Sequence, residues 1–424
     1  MLKNRDLPFA TPEGQASKDL VWKGQTYFTP NYKPREMILD HGKGARLWDM
    51  DDNEYVDFGA GIAVCSLGHQ DEDLLEALQK QSRKLWHTSN IFFTEPSIRL
   101  AEALVEAVPF AKRVYFCNSG AEANEAAIKL IRKWATSQGR APQQREIITF
   151  AGSFHGRTLA TVTATAQPKY QQGFEPLPAG FVYCPAFNDM EALASCITEN
   201  TCAILAEPVQ GEGGVIPARP GFLQEIRALC DERGLLLAYD EIQCGMGRTG
   251  ALFAHMTEGA APDIMTIAKA LGGGLPIGAM LAGEKVAEIF DFGSHGSTFG
   301  GNPVMCAVAL AALEKINSPA LLAHVAAMEQ HLRKGLEAIS AETEMFSGIR
   351  GKGLMIGAPL VQDFCGKSGA ISELCRRFGV LVLVAGPDVL RFVPPLTITP
   401  DEIDDGLTRL KAALTYARAH PESL

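Results

Sequence analysis

From Val114 onward, short apolar runs rich in β-branched residues alternate with longer stretches whose apolar residues recur at helical spacing. Val114-Tyr115-Phe116, Glu146 to Phe150, Phe181 to Tyr183, Ala203 to Glu207, Leu235 to Asp240, Ile264 to Ile267 and Gly278 to Ala282 predict strands. Helices are predicted between most of them, one opening at Asn118 and running to about Trp134, another over Gly221 to Arg233. Leu235-Leu236-Leu237-Ala238-Tyr239 shows no polar alternation, which marks a strand buried on both faces. The pattern predicts an α/β fold, a mostly parallel sheet covered by helices.

The flanking regions read differently. Leu47-Trp48-Asp49 and Tyr55-Val56-Asp57-Phe58 flank Asp51-Asp52-Asn53, a hairpin signal, and Gly59 to Gly68 is a glycine-rich loop leading to His69. Leu74 to Trp86 and Ser97 to Val108 carry helical spacing. Residues 1–30 are polar and irregular, with Pro8, Pro12 and Pro30, and predict an arm ordered only against a partner subunit. Beyond the sheet pattern, Asn302 to Ile316 and Leu321 to Ile339 predict long helices. Ile349 to Ala358, Val380 to Val384 and Val389 to Phe392 predict strands, and Thr399 to Ala419 a last helix. The expected division is 1–75 for the arm and part of a small domain, 76–310 for a large domain, and 311–424 for a smaller α+β domain.

Composition narrows the function. The 424 residues are 46% hydrophobic, enough for a large core, and the net charge is −10. With Asp+Glu 49 against Lys+Arg 39 and no basic block, the chain argues against nucleic acid as a partner. Its ten cysteines show neither a Cys-x-x-Cys pair nor a metal-ligand spacing, so no metal is expected and reduced thiols are. No run of 18 apolar residues and no signal-like start appear, so the expectation is a cytoplasmic protein with no membrane partner.

The candidate chemistry sits where strands end. Asp263-Ile264-Met265-Thr266-Ile267-Ala268-Lys269 is an apolar run closed by a lysine, with Gly272-Gly273-Gly274 and Pro276 just beyond. A lysine flanked by apolar residues loses hydration, which favours the free amine and suits covalent attachment to an aldehyde cofactor. Leu235 to Asp240 ends in an acid at the carboxyl end of a buried strand, where α/β sheets bind ligands. A carboxylate there can hold a pyridine nitrogen protonated. Read alone, Lys269 also suits a surface position and Asp240 a helix cap. Ser119, Gly120 and Ala121 open a helix after a strand, and free N–H groups there bind phosphate. Phe154-His155-Gly156-Arg157 offers an aromatic to stack on a ring and an arginine to fork onto a carboxylate.

Asp240-Glu241-Ile242-Gln243-Cys244-Gly245-Met246-Gly247-Arg248-Thr249-Gly250, followed by Lys269 and three glycines, resembles the class III (ornithine-type) aminotransferases. The likeness runs from about Tyr32 to Thr399. It implies a fold-type-I transferase with pyridoxal 5′-phosphate as cofactor and a homodimer whose active sites are shared. Lys269 and Asp240 become the catalytic pair. Ser119, Gly120 and Ala121 become contacts of the cofactor phosphate, although many relatives have threonine where this chain has Ala121. Thr298, in Gly296-Ser297-Thr298-Phe299-Gly300, is implied to reach the partner's phosphate. Phe154 is implied to stack on the ring and Gln243 to bond its hydroxyl. Arg157, Ser297 and Tyr32 are implied substrate contacts, and Glu212 is implied to pair with Arg391.

Within the family, Gly61-Ile62-Ala63 resembles the acylornithine and 4-aminobutyrate branches. Cys244 to Gly250 and Phe116 to Asn124 resemble the acylornithine branch. The expected reaction moves the terminal amino group of N2-acetyl-L-ornithine, N-succinylornithine or N-succinyl-diaminopimelate to 2-oxoglutarate, giving a semialdehyde and L-glutamate, as in arginine biosynthesis. Tyr32 keeps ornithine as an alternative, beside 4-aminobutyrate; an aminomutase is a more distant one.

Overall fold

The computed structural model describes residues 14–424. The chain forms two compact units: one gathers the chain up to Asp71 with His324–Leu424, and the other is Glu72–Ala323. The divisions thus fall at 71 and 323 rather than at 75 and 310. The second difference has a cause in packing: helix Pro303–Ile316 lies against helices Glu72–Ser82 and Glu95–Ala107 and stays with the larger unit.

The larger unit is built on a seven-stranded sheet. Its strands are β1 (Ala111–Cys117), β2 (Glu146–Phe150), β3 (Phe181–Cys184), β4 (Thr201–Ala206), β5 (Leu236–Asp240), β6 (Ile264–Ile267) and β7 (Gly278–Gly283). They lie in the order β1-β7-β6-β5-β4-β2-β3. All pairs are parallel except those of β7, which runs antiparallel to β6 and β1. Alternate residues of β5 enter different cores. Leu236 and Ala238 pack with Ala126, Ala127 and Ile131 of helix Gly120–Ser137. Leu237 and Tyr239 pack with Phe222, Leu223 and Ile226 of helix Phe222–Arg233. Burial on both faces is why the run needs no polar alternation. The same alternation turns Asp240 toward helix Gly120–Ser137.

The smaller unit holds two four-stranded sheets. Leu39–Lys43, Arg46–Asp49 and Glu54–Asp57 are antiparallel, and Val380–Leu381 joins Glu54–Asp57 in parallel. Arg350–Lys352, Met355–Pro359, Val389–Phe392 and Leu383–Val384 form the second sheet, antiparallel throughout. No single helix among the described residues is long and apolar enough to cross a membrane.

Three expectations are corrected here, and one element is added. Gln15–Tyr27 is a helix rather than irregular chain; Pro8 and Pro12 lie outside the described residues. Its start is tied down from a distance, Ser17 Oγ donating to Asp51 Oδ1 at 2.9 Å and the Gly14 N–H to the same oxygen at 3.3 Å. Ile349 to Ala358 is a hairpin, turned at Gly353 with φ 59°. Val380 to Val384 divides between the two sheets around buried Val382. Ser368–Arg377 is a helix that the pattern did not announce, because its apolar face is confined to Ile371, Leu374 and Cys375.

The loop after Glu54–Asp57 is strained. Ala60, Gly61, Ile62 and Ala63 have φ of 43°, 62°, 66° and 58°. Asp57 secures it, Oδ1 accepting from the N–H groups of Gly59 and Ala60 at 2.8 and 2.9 Å. Its Oδ2 lies 2.9 Å from His69 Nε2. The hydrogen bond to Asp57, with a second to Cys65, pushes the His69 pKa from 6.5 up to about 9 against the effect of burial. A histidine raised on folding stabilises fully below its unfolded value and loses that contribution as pH rises through its folded value. The stability gap between this protein and His69→Gln is therefore expected to be widest below pH 6.5 and to shrink as pH rises toward about 9. Its size should be about 3 kcal/mol at most. Urea unfolding across that range measures it, and a gap independent of pH would leave His69 a packing role only.

Candidate active site

Asp240 closes β5 and is only 3% exposed. Its Oδ2 accepts from Asn124 Nδ2 at 2.7 Å and lies 2.8 Å from His155 Nδ1. Its Oδ1 accepts from the Ile242 N–H at 3.0 Å. Asn124 is itself fixed, accepting from Thr266 Oγ1 at 2.7 Å and donating to the His155 carbonyl at 2.8 Å. A carboxylate has about four acceptor positions, so these three donors leave roughly one on Oδ1. His155 is fully buried. Burial alone would lower its pKa, but the hydrogen bond to Asp240 and the charges of Asp240 and Glu207 raise it.

Lys269 follows β6, whose Thr266 is the register partner of Asp240. The lysine is half-buried and holds a left-handed backbone, φ 47°. Gly272 is required just beyond: a Cβ there would lie 2.0 Å from the Leu275 carbonyl oxygen.

The start of helix Gly120–Ser137 joins the same place. Ser119 caps it, Oγ accepting from the Glu122 N–H at 3.2 Å. Gly120 and Ala121 occupy the first turn, where N–H groups have no helical acceptor. A Cβ on Gly120 would lie 2.8 Å from Ile242 Cδ1, and one on Gly156 2.9 Å from the Ala121 Cβ. The loop after β2 therefore packs on the helix start and brings Phe154 with it. Arg157 is exposed and stacks on Tyr170, Cζ 4.1 Å from the ring centroid, while the Phe154 and Tyr170 rings meet edge-on at 5.8 Å. Gln243 is buried beside Gly211, where a Cβ would come within 2.6 Å of its amide.

Ser297 stands next to this group, its Oγ accepting from Asn118 Nδ2 at 3.1 Å and from the Gly300 N–H at 2.9 Å. Thr298 is exposed. Glu212 lies half-buried in the turn between Val209–Gln210 and Ile216–Pro217. Tyr32 and Arg391 belong to the smaller unit; Tyr32 is exposed, and Arg391 is buried on its strand with Gly357 and Leu383 as register partners.

Four residues near this site had no assigned role in the sequence. Asn124 and His155 stood inside the quoted motifs, but only the fold brings them to Asp240. Glu207 is buried after β4, and its pKa is pushed up to about 8 by burial, opposed by His155 and reinforced by Asp240. Tyr170 carries no motif at all.

The arrangement can hold a cationic ring nitrogen on Asp240, an anion at the helix start and an aldehyde on Lys269. The family model "Aminotransferase class-III" matches residues 27–414. The chain belongs to the class-III aminotransferases, and it is a transaminase; the family implies pyridoxal phosphate as its cofactor. It is 59% identical to an acetylornithine aminotransferase of Xanthomonas campestris pv. campestris over 396 residues, 93% of this chain and 97% of that one. It is 49% identical to a succinylornithine transaminase of Yersinia pseudotuberculosis, over 91% of this chain and 94% of that one. The solved N-acetylornithine aminotransferase of Stenotrophomonas maltophilia K279a superposes with a TM-score of 0.83 at 49% identity, covering 94% of this chain and 99% of that one. The ornithine aminotransferase of Toxoplasma gondii ME49 gives a TM-score of 0.91 at 32% identity, covering 96% and 97%.

Proposed function

We propose that this protein moves the terminal amino group of an N2-acylornithine, N2-acetyl-L-ornithine first, to 2-oxoglutarate, giving the semialdehyde and L-glutamate. The observation that carries this reading is the 59% identity to an acetylornithine aminotransferase sustained along 93% of the chain. The succinylornithine transaminase likeness makes the succinyl compound the second substrate to try. Steady-state rates with N2-acetylornithine, N-succinylornithine, ornithine and 4-aminobutyrate test it. An acylated substrate should lead in kcat/KM by at least about tenfold, roughly 1.4 kcal/mol. An equal or higher value for ornithine would move the protein to the ornithine branch.

Pyridoxal phosphate fits the residues present, because Asp240 keeps an acceptor position and the first helical turn offers N–H groups. We assign its phosphate to Ser119, Gly120 and Ala121, its ring to Phe154, Asp240 and Gln243, and its aldehyde to Lys269. The methyl of Ala121 supplies no hydroxyl. When bound, the group supplies an aldehyde that exchanges between amines and a ring that accepts electrons. Lys269 then takes and returns the proton at the substrate carbon. Asp240 holds the proton of the ring nitrogen. Arg157 binds a substrate carboxylate. Ser297, Tyr32, Glu212 and Arg391 are proposed to bind substrate, as the family pattern implies. The ten cysteines are all unpaired, which suits the reducing cytoplasm we propose for the protein.

The partner we propose is a second copy. In the larger unit Trp86, Ile91, Phe92, Phe93 and Phe299 are exposed, Phe93 by 93%. Large exposed apolar groups mark interaction surfaces, and Phe299 adjoins Thr298, which we assign to the partner's phosphate. Mixing Lys269→Ala subunits with Thr298→Ala subunits should then yield a mixed dimer more active than either parent. Mixtures no better than their parents after subunit exchange would place Thr298 in its own chain's site.

A further inference from the structure

Glu207 has no part in the chemistry above, yet it is one of the most constrained groups near it. It follows β4, is 6% exposed, and uses both oxygens. Oε2 accepts from the Phe154 N–H at 3.1 Å, in the loop after β2. Oε1 accepts from the Gly211 N–H at 3.4 Å, in the loop after β4. Gly211 in turn abuts the Gln243 amide, 2.6 Å from where its Cβ would stand. One carboxyl group thus joins the loop bearing the aromatic ring to the loop that presses on the glutamine.

We propose that Glu207 is a positioning residue of this site, its carboxyl group tying the two loops so that the Phe154 ring and the Gln243 amide are held in one geometry. The proposal rests on reading those two residues as cofactor contacts. The ionisable groups facing Glu207 are His155 from the loop after β2, Asp240 from β5 and, beyond it, Cys244. Burial pushes the Glu207 pKa up to about 8, with His155 lowering it and Asp240 raising it. Burial thus favours the protonated form, and a proton on the carboxyl group leaves it fewer acceptor positions for the two N–H groups. As pH rises through about 8 the proton leaves and both oxygens accept fully. A cation placed on Asp240 offsets part of the repulsion, so loading the cofactor releases the Glu207 proton and tightens the tie.

Amide hydrogen exchange on the cofactor-free protein tests the tie directly. After correction for intrinsic rates, protection at Phe154 and Gly211 should rise several-fold between pH about 7 and about 9. In Glu207→Gln it should be lower and flat with pH, whereas Glu207→Asp should restore the pH dependence in part. Calorimetry of pyridoxal phosphate binding near pH 7, in two buffers of different ionisation enthalpy, should show more proton release from the parent than from Glu207→Gln. A glutamine variant with unchanged protection and proton count would overturn the proposal. If the glutamine variant does not fold, Glu207→Asp decides: protection flat with pH would overturn the proposal. If the parent does not bind pyridoxal phosphate, the cofactor reading fails while the exchange measurement still judges Glu207.

Discussion

Replacing Lys269 with alanine is expected to end transamination and, in the same protein, the visible absorbance of cofactor attached through its aldehyde. The backbone argues for this position before the side chain does. Lys269 adopts φ 47°, a left-handed conformation that costs a non-glycine residue about 1 kcal/mol or more. The rigid run Ile264–Ile267, buried throughout, fixes the lysine on one side, and the turn around Gly272 fixes it on the other. The amine therefore stands three residues beyond Thr266, which is level with Asp240 on the neighbouring strand. A single general acid–base group supplies up to about four decades of rate, and loss of covalent attachment adds to that. Turnover should fall by at least this much. Cofactor should still bind without the covalent link, since the helix start and Asp240 are untouched. Steady turnover in Lys269→Ala at a rate near that of the parent would remove the lysine from the reaction.

The residues of this site differ in how far the chain alone discloses them. Asp240 and Lys269 were legible because each closes a continuous apolar run, and a buried strand announces its own end. The partners of Asp240 were not. Asn124 and His155 are 116 and 85 residues away, and neither spacing carries a signal until the sheet and helix Gly120–Ser137 are assembled. Glu207 was visible as a charge beside a proline, but its burial depends on two loops folding over it. The smaller unit shows the same limit in its strands. Val380 to Val384 has the pattern of one strand, yet the choice between two sheets is made by Glu54–Asp57 and Val389–Phe392, which are far off in sequence. Gln15–Tyr27 lacked a buried apolar stripe, and its start is satisfied by Asp51, a contact no local pattern encodes.

Asp240→Asn should keep cofactor binding and lose rate by about two to four decades. In the parent, Oδ2 faces two donors, Asn124 at 2.7 Å and His155 at 2.8 Å, while Oδ1 takes the Ile242 N–H. An asparagine can offer an oxygen to only one of these sets. Either its NH₂ group meets the donors of Asn124 and His155, or it turns outward and presents a donor where the ring nitrogen needs an acceptor. The charge matters more than the shape. Asp240 is nearly inaccessible to water, and the raised pKa of His155 depends on it against the opposing effect of burial. Removing one member of a buried pair costs about 3–5 kcal/mol. Expressed in the barrier, that is the two to four decades expected. The same substitution should drop the His155 pKa below its present raised position, because burial is then opposed by the charge of Glu207 alone. Histidine carbon shifts followed by NMR across pH would report that change independently of turnover. A near-normal rate in Asp240→Asn would refute the role of the carboxylate in holding the ring nitrogen. An unmoved His155 titration would show that the two side chains are not coupled as their 2.8 Å separation requires.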